Sequence, residues 1–154
     1  MKKSNTIILT AIMLFLATSS FGWDYYTNLG GVLDETRHVV NVQDGGFYLT
    51  GRSNGWALGG FADNWYDHDM FCIKLDEMGE EEWRDHYGQN GEGYYDAGWG
   101  ICVTPDSGAI ICGKSQSPRY SSSGYDNSLL VRIDKDGDTL WTKSYGGTYF
   151  DRSW

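Results

Sequence analysis

The chain has 154 residues, and its 21 acidic and 12 basic residues give a formal net charge of −9 at pH 7. An acidic surface of this kind repels phosphate backbones, which argues against nucleic acid as a partner. Gly accounts for 21 residues, aromatic residues for 16% and Pro for only 2, so the composition favours short strands and turns over a helical bundle or a disordered chain.

The first 22 residues have the pattern of a secretory signal peptide. Lys2 and Lys3 precede an apolar run of about a dozen residues, and small residues lie before a cleavage point after Gly22. The run is too short to span a bilayer comfortably, although a buried core helix is an alternative. We therefore expect a mature chain that is secreted, periplasmic or at the cell surface, without a membrane segment.

The remaining sequence repeats itself. "IKLDEMGEEEW" (73–83) and "VRIDKDGDTLW" (131–141) place Gly79 and Gly137 at the same point of the same phrase. Further landmarks recur in the same order: Asp34, Asp96 and Asp151; Asp76 and Asp134; Trp83 and Trp141; and the segments 42–53 and 104–115. Such a recurrence indicates tandem units of about 60 residues.

Each unit contains four strand-like runs separated by turns. In the first unit these runs are "TRHVVNV", "FYLTGRS", "DMFCIKLD" and "EEWRDHY". Asp-Gly and Asp-x-x-Gly turns between apolar runs indicate hairpins, because Gly adopts the positive φ that such turns require. The first and second runs of each unit are apolar at successive positions, which predicts strands covered on both faces.

A repeated four-stranded antiparallel meander is the unit of a β-propeller blade. The chain resembles the secreted bacterial β-propeller repeat proteins, whose units read roughly W-x-K-x-Y-G-G, then D, then D-G-G-x-x-x-x-G, then D-x-x-L-x-K-L-D-x-x-G-x-x-x-W. Besides the landmarks above, the matching residues are Trp141, Lys143, Tyr145, Gly146 and Gly147; Asp44, Gly45, Gly46 and Gly51; Lys74 and Leu75. The resemblance implies an all-β fold of tandem four-stranded antiparallel meander blades.

We predict two complete blades plus partial ends, in an open arrangement. The predicted segments are a signal peptide at 1–22, an orphan fourth strand with its lead-in at 23–35, a first blade at 36–87, a second blade at 88–145 and the start of a third blade at 146–154. Because propellers close with about four to eight blades, we expect the N-terminal part of a longer protein. Open blade edges also favour self-association.

The longer connections are expected at one end of the blades, where binding residues commonly lie. Their aromatic residues are Trp56, Phe61, Trp65, Tyr66, Tyr94, Tyr95, Tyr120 and Tyr125. These rings could stack on a glycan or anchor a protein, or they could simply fill gaps between blades. The leading hypothesis is an exported structural or binding module without catalytic residues, and a carbohydrate-binding surface protein is one alternative.

Metal and enzyme hypotheses have weaker support in the sequence. Asp63, Asp67 and Asp69 are candidate calcium ligands, but no EF-hand pattern is present, so we expect no cofactor. The D-x-x-G-x-x-x-W phrase also resembles the repeats of pyrroloquinoline-quinone propellers, which makes a quinoprotein-like enzyme fragment a second alternative. The "DHD" sequence at 67–69 has no nucleophile beside it in any known catalytic motif.

Three cysteines are an odd number for an exported protein. If the turn between the first two strands of the second unit is a three-residue loop with Gly108 as the bulge, Cys102 faces Cys112 across the hairpin and the two could form a disulfide. A shift of register prevents that bond and leaves buried thiols. Cys72 aligns with Leu130 of the next unit, so it is predicted to be a small buried apolar residue.

Overall fold

A computed structural model of the chain describes residues 34–54, 68–88, 94–121 and 124–154. The predicted signal peptide and orphan strand lie outside these ranges. So do six candidate site residues: Trp56, Phe61, Asp63, Trp65, Tyr66 and Asp67. The described residues form strands and turns and contain no helix.

The strands form two four-stranded antiparallel sheets, each paired in the order of the sequence. The first sheet contains β1 (Asp34–Asn41), β2 (Phe47–Ser53), β3 (Asp69–Leu75) and β4 (Glu81–Tyr87); the second contains β5 (Asp96–Val103), β6 (Ala109–Ser115), β7 (Asn127–Ile133) and β8 (Thr139–Tyr145). Neither sheet closes into a barrel. The prediction of an all-β fold with open, tandem meander sheets is confirmed.

The turn between the third and fourth strands is built identically in both sheets. Asp76 Oδ1 accepts hydrogen bonds from the backbone N–H groups two and four residues later, at 2.8 and 2.9 Å. Asp134 Oδ1 does the same at 2.9 and 3.0 Å. Gly79 and Gly137 have φ angles of 84° and 92°, which a side chain disfavours. The repeated Asp-x-x-Gly phrase is therefore a turn motif.

Each first strand also carries a β-bulge at the same place. The register with the second strand shifts at Arg37 in β1 and at Trp99 in β5, which leaves these two residues without a partner in the ladder. Gly51 and Gly113 lie beside the bulges, where a methyl group would overlap a carbonyl oxygen of the facing strand. The close approach explains why both second strands contain glycine at this point.

The two sheets pack together through an apolar core that both contribute to. Tyr48, Met70, Cys72 and Tyr87 of the first sheet meet Ile101, Ala109, Ile111, Leu129, Val131 and Ile133 of the second. Full burial of each large side chain contributes about 1.5–3 kcal/mol. Cys72 is fully buried in this core, as expected for a small apolar residue.

Three polar contacts fix how one sheet lies on the other. The Tyr48 hydroxyl donates to the Ser107 carbonyl at 2.8 Å, and the Tyr87 hydroxyl donates to the Gly137 carbonyl at 2.9 Å. Trp83 Nε1 donates to the Lys135 carbonyl at 3.1 Å. All three acceptors lie in the hairpin turns of the second sheet, so these turns are attached to the first sheet.

The first strands of the two units are covered to different extents. Most of β5 is buried, as predicted, because this first strand of the second sheet packs against the first sheet. Most of β1 is exposed, and Val39 in particular has 50% of its surface accessible. The prediction of strands covered on both faces is therefore wrong for β1, although the sequence pattern is similar.

The hairpin register between β5 and β6 differs from the register needed for the predicted cysteine pair. Cys102 lies opposite Ile110 and Cys112 lies opposite Gly100, and both thiols are free. The turn closes one residue earlier in the sequence than expected, because Thr104 N donates to the Gly108 carbonyl at 2.8 Å and Ser107, not Gly108, has the positive φ. The disulfide that the sequence left open is therefore not formed, and the expectation of buried thiols is wrong for Cys102, which is exposed, while Cys112 is half-buried.

Candidate functional site

The longer connections of the meander join strand ends that lie on one side of the sheets, which we call the loop end. Its described residues include 94–95, 116–121, 124–126 and 146–150. The hairpin turns 42–46, 76–80, 104–108 and 134–138 lie at the opposite end, which we call the turn end. Strands of seven residues separate the two ends by about 23 Å.

At the loop end, the junction between consecutive units is built twice. Asp96, the first residue of β5, donates its backbone N–H to the His68 carbonyl at 2.7 Å. Asp151 donates its backbone N–H to the Asp126 carbonyl, also at 2.7 Å. His68 and Asp126 each immediately precede a third strand, so the two bonds are equivalent. Residues after β8 thus contact the second sheet as β5 contacts the first.

A buried charge cluster lies at the second of these junctions. The Asp126 side chain is fully buried, and its carboxylate accepts hydrogen bonds from Lys114 Nζ at 3.1 Å, Gln116 Nε2 at 2.7 Å and Arg152 Nε at 2.5 Å. Burial alone would raise the pKa of Asp126, but hydrogen bonds from Gln116 and Lys114 lower it below its usual value. The pKa of Lys114 is lowered, chiefly by burial.

The ring of Tyr95 is surrounded by basic side chains. Lys114 Nζ lies 3.9 Å from the ring centroid, the Arg52 guanidinium 5.2 Å, and the His68 ring 4.8 Å. Arg52 also donates a hydrogen bond to Glu35 at 2.7 Å, so the positive charge of Arg52 is compensated by a carboxylate as well. Cation–π contacts of this kind hold the tyrosine in place. The Tyr95 ring is therefore engaged in contacts with other residues of the protein.

His68 is 1% exposed, and within the described residues neither of its ring nitrogens has a hydrogen-bond partner. Burial, assisted by the charge of Arg52, lowers the pKa of His68 to about 4. The imidazole is therefore neutral at physiological pH. It acts there as a buried ring against Tyr95, and its protonation would be costly.

The residues at the two bulges begin a stack of planar side chains. The Arg37 guanidinium lies 5.5 Å from the Trp99 ring, and the Trp99 ring stacks on Trp154 with 4.1 Å between centroids. Trp154 occupies the position in 151–154 that Trp99 occupies in 96–99. Two first strands and the segment 151–154 therefore present a planar group at the same place, and the outermost, Trp154, is 82% exposed.

Three exposed aromatic rings form a patch at the loop end, which we call the aromatic patch. Tyr125 contacts Phe150 edge-on at 4.9 Å and Tyr149 at 6.4 Å, and the three are 42%, 57% and 76% exposed. Of these, only Tyr125 was a candidate from the sequence. Tyr149 and Phe150 align with Tyr94 and Tyr95, and this alignment could have identified them.

The other aromatic candidates have different surroundings. Tyr94 is half-buried, and its carbonyl accepts a hydrogen bond from the His68 N–H at 3.1 Å. Tyr120 is half-buried and packs against the core between the sheets. The candidate calcium ligand Asp69 is a buried residue of β3. Within the four described ranges, no three His, Cys, Asp or Glu side chains are grouped to hold a metal ion.

The recurrent residues occupy equivalent structural positions. Asp34 accepts a hydrogen bond from the Ser53 hydroxyl, and Asp151 accepts one from the backbone N–H of Gly147 at 2.7 Å. The Trp83 ring lies on Gly137, where a methyl group would press against it. Trp141, its counterpart on the second sheet, is 37% exposed. The surface that Trp83 buries is therefore open on the second sheet.

No protein-family model matches the chain, and no curated protein matches its sequence. In the part of the chain with described structure, no helix is long and apolar enough to cross a membrane.

Proposed function

We propose that this chain is an exported structural and binding module of the β-propeller type, in which repeated sheets form a scaffold that accepts further units. The repeated junction carries the proposal: Asp96 to His68 and Asp151 to Asp126 make the same backbone bond at 2.7 Å. The Ser153 hydroxyl adds a bond to the Gly113 carbonyl at 2.7 Å. Residues 151–154 thus have the contacts expected of another first strand.

The exposed side of the second sheet supports the same proposal. On the first sheet, Trp83 is covered by Lys135 and Gly137 of the next unit. On the second sheet, Trp141 is accessible and Tyr145, the counterpart of the buried Tyr87, is 55% exposed. An apolar surface of this kind is typical of an interface that a neighbouring unit covers.

The proposal is tested by adding a unit made from the chain's own sequence. A copy of residues 100–145 is fused after Trp154, so that 151–154 replaces 96–99 at the start of the new unit. We expect the free energy of unfolding in urea to rise by about 2 kcal/mol, because Trp141 becomes buried. Hydrogen exchange of the β8 amides is expected to slow.

The control extension carries Asp in place of the copied Leu129 and Val131, whose originals belong to the buried core between the two sheets. This version should leave stability and β8 exchange at the values of the unextended chain. Equal stability of the two extended proteins would contradict the proposal, because it would show that the added unit does not dock through its apolar face.

Carbohydrate binding at the loop end is a second candidate function, favoured by the aromatic patch of Tyr125, Tyr149 and Phe150. Exposed aromatic rings can stack on the C–H faces of sugars. The Arg152 guanidinium lies 5.2 Å from the Phe150 ring and adds a hydrogen-bond donor at the edge. These four residues would contact a bound glycan at the open end of the second sheet.

Replacement of Tyr149 by Ala tests this candidate. Because the ring is 76% exposed, we expect the stability to be unchanged and glycan binding to weaken about tenfold. Binding of the mature chain to a glycan array is the measurement, and Met78→Ala, which removes a side chain 73% exposed at the turn end, is the matched control. Equal binding by both variants would rule out the patch.

A further inference from the structure

A cleft of about 610 Å³ opens at the turn end, between the two sheets. Its lining residues are Asp44, Tyr48, Lys74, Glu82, Trp83, Ser107, Lys135 and Asp136. The first five belong to the first sheet or its turns and the last three to turns of the second. The cleft has the size of a small-ligand site, and it exists only because the two sheets dock.

The charged groups of the cleft are already paired with one another. The Lys74 side chain is 4% exposed, and its Nζ lies 3.0 Å from Asp44 and 3.2 Å from Glu82. Lys135 lies 2.6 Å from Asp136. Three carboxylates and two ammonium groups leave one negative charge, so the cleft does not attract phosphates or other anions.

These ion pairs still leave hydrogen-bond donors and acceptors available to a ligand. A carboxylate has about four lone-pair sites and an ammonium has three N–H donors, so Glu82 and Lys135 retain unused positions. Adjacent acceptors and donors of this kind match neighbouring hydroxyl groups on a ring. No net charge on the ligand is needed.

The partly buried Trp83 ring forms the apolar wall of the cleft. The fully buried Tyr48 ring lies behind it, with 5.7 Å between the centroids, and each ring is fixed by a hydrogen bond to the second sheet. A ring held in this way loses little conformational freedom when a ligand binds, which favours affinity. The C–H face of a sugar is a suitable partner for such a wall.

Ser107 is the residue that distinguishes this cleft from a simple gap. Its φ is 64°, and among the described residues it is the one non-glycine position with a positive φ. Gly45, at the equivalent place in the first unit, has φ 94°, so the turn itself requires no side chain. Ser107 lines the cleft, and its backbone carbonyl accepts the hydrogen bond from Tyr48. Backbone strain of this kind concentrates at functional positions.

From these observations we infer that the turn-end cleft binds a neutral saccharide, with the Trp83 ring as the apolar wall and Ser107, Glu82 and Lys135 hydrogen-bonding its hydroxyl groups. The site is separate from the aromatic patch, which lies at the opposite end of the strands. It requires only that the two sheets pack as described. Neutral oligosaccharides fit it better than uronates or sulfated sugars, because the lining carries a net negative charge.

Ser107→Gly separates binding from folding. The change removes the hydroxyl and relieves the positive-φ strain, while the backbone carbonyl that accepts from Tyr48 is retained. We expect binding of the mature chain to neutral oligosaccharides on a glycan array to weaken about tenfold, the effect of one lost hydrogen bond. The urea midpoint should equal or exceed that of the parent, so lost binding does not reflect misfolding.

Glu82→Gln and Tyr149→Ala complete the test. Glu82→Gln should also weaken binding, whereas Tyr149→Ala at the loop end should leave it unchanged. Unchanged binding in Ser107→Gly, or binding confined to anionic glycans, would overturn the inference. Loss of binding in Tyr149→Ala alone would overturn it and support the loop-end candidate. If no glycan binds, both carbohydrate sites are refuted. The scaffold proposal is tested separately, by the stability of the extended chain.

Discussion

Replacing Asp126 with Ala is expected to lower the free energy of unfolding by about 3–5 kcal/mol. The carboxylate is fully buried and compensates Lys114, whose side chain is only 10% exposed, so its removal leaves a buried ammonium without its partner. Gln116 and Arg152 lose an acceptor at the same time. Urea unfolding of the chain at pH 7 measures the loss.

Asp136→Ala is the matched control, because Asp136 also pairs with a lysine, at 2.6 Å, but the lysine and aspartate side chains are 64% and 65% exposed. Its loss should be below about 1 kcal/mol and should vanish in high salt. The double variant Lys114→Met with Asp126→Leu should recover much of the stability, since it removes both buried charges. A loss in Asp126→Ala no larger than in Asp136→Ala would show that the cluster is not stabilising.

Acidification from pH 7 to pH 4 is expected to remove about 3 kcal/mol of stability through His68 alone. In the unfolded chain His68 binds a proton near pH 6.5, but burial lowers its pKa in the fold to about 4. The unfolded state therefore binds more protons between these values, so stability falls as pH decreases through this window. Asp126, whose pKa is lowered in the fold, adds a further loss only below the ordinary range of an aspartate, near pH 4.

His68→Phe should abolish the slope between pH 6.5 and 4, because no group at this position then takes up a proton. The variant should also match or exceed the parent in stability at pH 7, since the two unpartnered ring nitrogens are removed. His86→Phe, at a half-buried position of β4, serves as the control and should keep the slope of the parent. A parental slope in His68→Phe would contradict the assignment.

Local chemistry explains why much of the fold could be predicted from the sequence. The Asp76 and Gly79 turn needs only neighbouring residues, so its motif identifies a hairpin and its recurrence identifies the repeat. The strand order follows from short connections. The β5–β6 register could not be derived from Gly108 alone, because the residue with positive φ is Ser107. Its alignment with Gly45 was the available signal.

The candidate sites depend on distant contacts, which the sequence does not display. Asp126 and Arg152 are 26 residues apart, and their partnership requires residues 151–154 to return along the second sheet. Tyr95 was expected at a binding surface, but Arg52 and Lys114 lie against its ring. The turn-end cleft arises only from the packing of one sheet on the next.

The backbone bonds at the two junctions also indicate how a protein of this kind can change in length. Asp96 reaches back to His68, and Asp151 reaches back to Asp126, so each bond spans less than one unit of the sequence. Because each junction closes over so short a segment, a unit contacts only its immediate neighbours and can dock on the preceding unit as soon as both have been synthesised. Duplication or loss of a whole unit in the gene would then leave the remaining junctions intact, so the number of units could change during evolution without redesign of any one of them.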